Sequence, residues 1–253
     1  RLKHHPGQIA AADAIRTALA GGRTLDGGKE EGRLVQDPYS LRCAPHVIGA
    51  ARDGLAWVRN VLHRELNSVN DNPIVDPERG DVVFAGNFYG GHVALTMDLL
   101  KIAAASVADL ADRQFALLLD ARLNAGLPET LVAYEGCGAK ALQITGSALT
   151  ALAVQRSASD TVLSRPTEAS NQDKVSMGLN AALNAAETIT LLQQVLAALG
   201  RRPSGARGRG DDRRPGRPLH RLRPGEPAEA RGHVRRHRGD GLRRHGGGGD
   251  LAR

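Results

Sequence analysis

The chain has 253 residues, with 34 Lys and Arg against 27 Asp and Glu, only seven aromatic side chains and two cysteines. That length suits one large domain or two small ones, and two cysteines cannot staple a secreted scaffold. No run of eighteen uninterrupted apolar residues occurs, and Arg1 to Pro6 lack the basic-then-apolar order of a secretory signal, so a cytoplasmic protein with no membrane partner is expected. The formal charge of +7 is unevenly spread. Residues 201–253 hold 16 Arg and 6 acids, a net of +10, whereas residues 1–200 carry a net of −3. The chain opens on Arg1 rather than Met, and is expected to begin part-way through a longer product.

Residues 1–200 read as helical. From Gln8 to Leu19 the pattern sets Ile9, Ala12, Ile15 and Leu19 on one face, opened by Pro6-Gly7 and closed by Gly21-Gly22. Gly22 to Gly32 reads as a polar loop. A second helix is predicted from about Ala44 to Val69, with Val47, Leu55, Val58, Leu62 and Leu66 facing a core. Ile74-Val75 and Val82-Val83-Phe84, separated by Asp76 to Gly80, read as a short hairpin. A third and longest helix is predicted from about Gly91 to Leu123, containing Leu95, Leu99, Ile102, Val107, Leu110, Phe115 and Leu118. Gly126-Leu127-Pro128 interrupts the helices, and two more Ala- and Leu-rich runs follow, at about Ala139–Leu163 and Ser176–Leu199.

The fold class is therefore all-α, with a short β excursion near 74–84. Long Ala-rich helices bury little bulk per residue and need many neighbours, which favours a multi-chain bundle. Residues 201–253 form a separate region with 12 Gly, 5 Pro and no aromatic residue; such a segment buries too little apolar surface to offset chain entropy and is expected to be disordered. An Arg/Gly nucleic-acid tail is one reading, disfavoured because no aromatic side chain is present to stack on bases. A solvated tail is a second. Out-of-frame translation of GC-rich codons is the third and preferred reading.

Four polar clusters lie between the helices. In Val35-Gln36-Asp37-Pro38-Tyr39-Ser40-Leu41-Arg42-Cys43, the residues Gln36, Tyr39 and Arg42 would share a face at helical spacing. Arg offers a planar fork for a carboxylate, with hydrogen bonds from Tyr and Gln beside it; a helix start with a surface Arg is the plainer reading. Asn70-Asp71-Asn72-Pro73 reads as structural, its side chains bonding nearby backbone. Gly86-Asn87-Phe88-Tyr89-Gly90-Gly91-His92 is a glycine-flanked turn whose aromatics suit a pocket wall, with a core role for Phe88 as the alternative. Arg165 to Gly178 is a polar hinge in which Asn171, Gln172 and Asp173 can cap the next helix. Neither Cys43 nor Cys137 has a second ligand at metal spacing, and no glycine-rich phosphate loop follows a strand. No metal or nucleotide is expected.

Taken in order, PGQI, VQDPYSLRC, NDNP, GNFYGGHVAL, ADRQ, GLP and EASNQDKVSMG resemble the C-terminal half of the aromatic amino acid ammonia-lyase and aminomutase superfamily, over roughly residues 1–200. The superfamily includes histidine, phenylalanine and tyrosine ammonia-lyases. The resemblance implies elimination of ammonia from an aromatic amino acid by a methylidene-imidazolone electrophile, made from an Ala-Ser-Gly that residues 1–253 do not contain. It implies a homotetramer with active sites shared between chains, and an isolated chain that is inactive.

By the same resemblance Arg42 would clamp the substrate carboxylate, and Tyr39 and Gln36 would line the electrophile. Phe88 and Asn87 would pack near it, and Glu168 would lie near the substrate amine with Asn171 beside the substrate. Gln172 stands where histidine-specific members carry Glu, and a neutral Gln suits an apolar or phenolic ring. A phenylalanine- or tyrosine-type lyase or a 2,3-aminomutase is therefore expected, with histidine ammonia-lyase as the alternative. A helical scaffold, or an RNA-binding protein acting through its basic tail, is the alternative of another class.

Overall fold

The computed structural model describes residues 3–21, 36–124, 126–132 and 138–200. All lie in the first of two units into which the chain divides, Arg1–Gly208 and Arg209–Arg253. The expected 22–32 loop and the expectations for residues 201–253 fall outside the described residues.

The described residues form six α-helices and one two-stranded hairpin: α1 (Pro6–Leu19), α2 (Tyr39–Arg42), α3 (Ala44–Leu66), β1 (Ile74–Asp76), β2 (Asp81–Val83), α4 (Gly91–Leu119), α5 (Lys140–Arg156) and α6 (Gly178–Gly200). Prolines near the starts of α1 and α3 occupy positions whose N–H would be unpaired in any case. The strands pair antiparallel, Ile74 opposite Val83 and Asp76 opposite Asp81. The predicted all-α class and the hairpin both hold.

α4 is the central element, packed against α3, α5 and α6, while α1 packs on α3. The core is built of small residues. Ala108 and Ala111 of α4 meet Ala153 of α5 and Leu191 and Val195 of α6, and a second cluster gathers Phe115, Leu119 and Ala139. Alanine faces let helix axes come close, so contact comes from proximity more than from bulk.

Three helix ends differ from the sequence reading, each for a local reason. α3 stops at Leu66 rather than Val69, because Asn67 donates to the His63 carbonyl at 2.7 Å and Ser68 to the Arg64 carbonyl at 2.7 Å, satisfying its final turn. α4 stops at Leu119 rather than Leu123, since the Asp120 carboxylate takes the Arg122 N–H at 2.9 Å and turns the chain. α5 stops at Arg156, seven residues short of Leu163. There the backbone N–H groups of Asp160 and Thr161 donate to Asp98 of α4, each at 3.0 Å, so a tertiary partner takes donors that a helix would use.

The predicted apolar faces are also only partly buried in a single chain. Val58, Leu110 and Phe115 are buried, but Ile9, Leu19, Leu55, Leu66, Leu95 and Ile102 are exposed. On α1 the buried positions are Gly7 and Ala11. A Cβ built on Gly49 of α3 would stand 2.4 Å from the Gln8 Cα, so the two helices cross where neither has a side chain.

Candidate functional site

The sequence-predicted site residues fall into separate groups within one chain. Gln36 is exposed and precedes Pro38, whose extended backbone (φ −54°, ψ 154°) separates it from the single turn of α2. Gln36 therefore does not share a helical face with Tyr39 and Arg42, contrary to the spacing argument. A one-turn helix begins only after the proline. Tyr39 and Arg42 do share a face: the guanidinium carbon lies 4.3 Å from the ring centroid, a cation–π stack. Tyr39 is 69% exposed. Among the described residues no carboxylate forms an ion pair with Arg42, which leaves its fork of donors open to an anionic ligand. The segment is docked on α4 by Gln114, which donates to the Ser40 carbonyl at 2.8 Å.

Asn87 and Phe88 lie at the opposite end of α4, on one turn of 3-10 helix (Asn87–Tyr89) that leads into Gly91. Gly90 adopts φ 66° there, a left-handed conformation that glycine takes without cost. A Cβ on Gly91 would stand 2.7 Å from the Tyr89 ring, so the aromatic ring lies flat on the helix start because that residue has no side chain. Phe88 is 44% exposed and so takes no part in the core of a single chain. Asn87 borders two open grooves of about 450 and 420 Å³, the second bounded also by Glu65, Tyr89, His92 and Leu95. The Asn70–Pro73 cluster is structural, as read: Asn70 donates to the Glu65 carbonyl at 3.1 Å, and Asn72 accepts from the Ala85 N–H at 2.8 Å, bracing the hairpin beneath this turn.

Glu168, Asn171 and Gln172 stand on the connection between α5 and α6. It doubles back on itself, with Thr167 and Gln172 paired through both backbone groups at 2.9 and 3.3 Å. Between them Glu168, Ala169 and Ser170 all have positive φ, at 50°, 51° and 67°. The capping reading for Asn171, Gln172 and Asp173 does not hold, because α6 begins five residues later at Gly178, whose N–H is met by Ser176 Oγ at 3.3 Å. The connection returns to the aromatic turn, where Ser176 lies beside Gly90 and Gly178 beside the Gly90 carbonyl and Ala94.

One chain thus brings the 86–90 turn against residues 176–178 and holds Tyr39 and Arg42 elsewhere. Gln114 lies 23 residues along α4 from Gly91, which at 1.5 Å per residue is about 35 Å of helix axis. No single substrate molecule can touch both ends.

The sequence reading passed over a buried ionic cluster. Lys101 of α4 is fully buried, and its ammonium contacts Asp98 at 2.8 Å, the Ala158 carbonyl at 2.7 Å and Asp160. Burial pushes the Asp98 carboxyl up, but hydrogen bonds from Lys101, Ser159 and the backbone N–H groups of Asp160 and Thr161 prevail and hold it well below the usual carboxylate range. Asn184 of α6 donates to both oxygens of Asp160 at 3.1 and 3.0 Å. Asp98 and Lys101, on a helix of regular apolar period, and Asp160 beyond the end of α5 read as solvated charges, and no local signal marks them as interior. Among the described residues no group of three His, Cys, Asp or Glu side chains is gathered as for a metal ion, and no helix is long and apolar enough to cross a membrane.

Residues 1–199 match the family described as aromatic amino acid lyase. The chain belongs to that family. A histidine ammonia-lyase of Anaeromyxobacter sp. (strain K) is 42% identical over 195 residues, covering 76% of this chain and 38% of the relative. A tyrosine ammonia-lyase of Cereibacter sphaeroides is 43% identical over 215 residues, covering 78% and 41%. The solved structure of a phenylalanine aminomutase from Pantoea agglomerans superposes with a TM-score of 0.70 at 31% identity, over 78% of this chain and 43% of that one. The lyase chain therefore spans about two fifths of the length of the relatives it matches. The family in general uses the methylidene-imidazolone electrophile. Residues 1–253 contain no Ala-Ser-Gly from which to form it, so the residues present do not fit the group as its source.

Proposed function

We propose that the chain is part of a cytoplasmic ammonia-lyase that deaminates an aromatic amino acid, and that histidine is the substrate best supported. The sequence alone favoured phenylalanine or tyrosine; the names of several similar relatives, histidine ammonia-lyases among them at 42% and 37% identity, support histidine better. The observation that carries the reading is the guanidinium of Arg42, stacked on Tyr39 and without an ion-pair partner among the described residues. It suits a carboxylate, the anionic group that all candidate substrates share. Tyr39 is placed to exchange a proton or stabilise developing charge beside that anion. Gln36, Asn87 and Phe88 would line the site, with Glu168 near the amine and Asn171 and Gln172 at the ring end.

The separation of about 35 Å between the two groups along α4 supports a site completed by neighbouring copies, as in a homotetramer. The electrophile would have to come from residues outside 1–253.

A tyrosine- or phenylalanine-type lyase or an aminomutase is the second reading, favoured by Gln172, whose neutral amide accepts an apolar or phenolic ring without an unpaired charge. The test joins the coding sequence upstream of Arg1 in frame and assays the product on the three amino acids. Ultraviolet absorbance reports urocanate, coumarate or cinnamate, and chromatography reports a β-amino acid. Urocanate from histidine is expected. Coumarate or cinnamate instead establishes the second reading, in which case Gln172→Glu is expected to shift kcat/KM towards histidine by about tenfold. A product that contains Ala-Ser-Gly and turns over none of the three overturns both.

A further inference from the structure

The connection from Ser157 to Met177 is tied at three levels. At its base, Asp160 is gripped by Lys101 of α4 and Asn184 of α6, while Asp98 takes the Asp160 and Thr161 N–H groups and the hydroxyls of Ser159 and Thr161 at 2.7 and 2.8 Å. Midway, the Val175 N–H donates to Ser164 Oγ at 2.8 Å and closes the loop upon itself. At the tip, Thr167 pairs with Gln172. Among the described residues, only the exposed Arg156–Glu187 pair, at 3.1 Å, links the end of α5 to α6 by charge outside this ladder.

A buried ion pair is a poor stabilising device, since desolvation consumes most of the attraction and an apolar replacement often does as well. Its contribution is a defined geometry. Here there is a segment that needs one: three successive non-glycine residues, Glu168 to Ser170, hold positive φ, and Met177 holds 59°. Such conformations persist only where the surroundings over-determine them. Relaxing them would swing Glu168 and Asn171 away from wherever the tip now presents them.

We infer that Lys101 is a positioning residue for the turn bearing Glu168, Asn171 and Gln172, acting through Asp98 and Asp160 to fix the base of the loop. The inference rests on the reading of those three side chains as site residues. Lys101 touches none of them. Its ammonium neutralises two carboxylates that would otherwise face each other across the joint between α4 and the connection, and α6 adds only the neutral Asn184 there. The arrangement is a latch whose strength depends on charge, which packing alone would not reproduce.

The test is hydrogen exchange by mass spectrometry on the full chain and on Lys101→Met, which keeps length and apolar volume but removes the charge. At pH 7 exchange in residues 164–175 is expected to accelerate about tenfold or more while α4 and α6 stay protected. On acidification to pH 5, after correction for intrinsic rates, the variant is expected to regain most of that protection as a proton replaces the lost ammonium charge in the cluster. Wild type is expected to be unchanged across the same range. Unaltered exchange in 164–175, a loss insensitive to pH, or an equal loss throughout the helices would each overturn the inference. Should Lys101→Met fail to fold, Asn184→Ala removes only the α6 contact. It is expected to accelerate 164–175 about threefold without acid recovery, and no acceleration would overturn the inference equally. This outcome does not depend on substrate turnover, so a loosened turn in a chain whose extended form proves not to be a lyase would sink the functional reading and leave the latch standing.

Discussion

At the scale of single residues, Asp98 gathers more constraint than any other side chain described. It accepts from Lys101, two hydroxyls and two backbone N–H groups, and these hold its carboxyl far below the ordinary value of 3.8 despite burial. The consequence for stability has a definite sign. A carboxyl whose folded value is depressed binds fewer protons in the native state than in the unfolded chain, so its contribution is complete above the unfolded value and is lost as pH falls towards the folded one. Asp98→Asn is therefore expected to lower stability at pH 7 by about 2–3 kcal/mol, the order of cost for removing a carboxylate hydrogen-bonded to a buried ammonium that keeps Asp160 as its remaining partner. The gap between variant and wild type should still be open at pH 4 and close only in stronger acid. Urea unfolding at pH 7, 4 and 2 checks it. A gap that stays constant across the three pH values would mean that the carboxyl titrates at its ordinary value in the folded chain.

At the scale of elements, helix identity was legible because a 3.6-residue apolar period survives whatever the helix later packs against. Helix ends were legible only where the stop is local. The seven-residue shortfall of α5 comes from Asp98, some sixty positions earlier, and no window of sequence contains both. The same limit applied to the candidate site. The order of motifs was readable, as was the shared face of Tyr39 and Arg42, but Pro38 removes Gln36 from their helix, and the distance between the two ends of α4 belongs to packing. The crossing of α1 and α3 was equally hidden, since Gly7 and Gly49 carry no hydrophobic signal. There the Gly7 N–H donates to Asp53 Oδ1 at 2.7 Å, so α3 supplies the cap that His5 does not. Gly49→Ala is expected to cost about 1–3 kcal/mol by forcing the helices apart, and Asp53→Ala about 0.5–2 kcal/mol by removing the cap. Limited proteolysis should then cut α1 first in both variants. Retention of α1 in Gly49→Ala would show that the crossing yields without strain.

At the scale of the whole molecule, the large apolar residues found exposed follow a pattern. Leu95 and Ile102 of α4, Ile144 of α5, and Leu179 and Leu183 of α6 are exposed, yet each sits on a helix whose other side is buried in the alanine core. A helix apolar on two sides has two sets of neighbours to satisfy. One chain supplies the first set, and the division of the candidate site between opposite ends of α4 asks for the second from the same source, because a second copy would bring a Tyr39–Arg42 pair that the first copy's 86–90 turn lacks nearby. The full chain is therefore expected to self-associate at micromolar concentration. Ile102→Glu with Leu183→Glu, 52% and 63% exposed in the single chain, should shift sedimentation towards smaller species without loss of far-ultraviolet helical signal, since neither side chain contributes to the core of one chain. Burying two carboxylates in an apolar contact costs several kcal/mol, enough to move association by orders of magnitude. If wild type sediments as a monomer, or the double variant associates as wild type does, these faces are not where copies meet and the case for a site completed between chains falls with them.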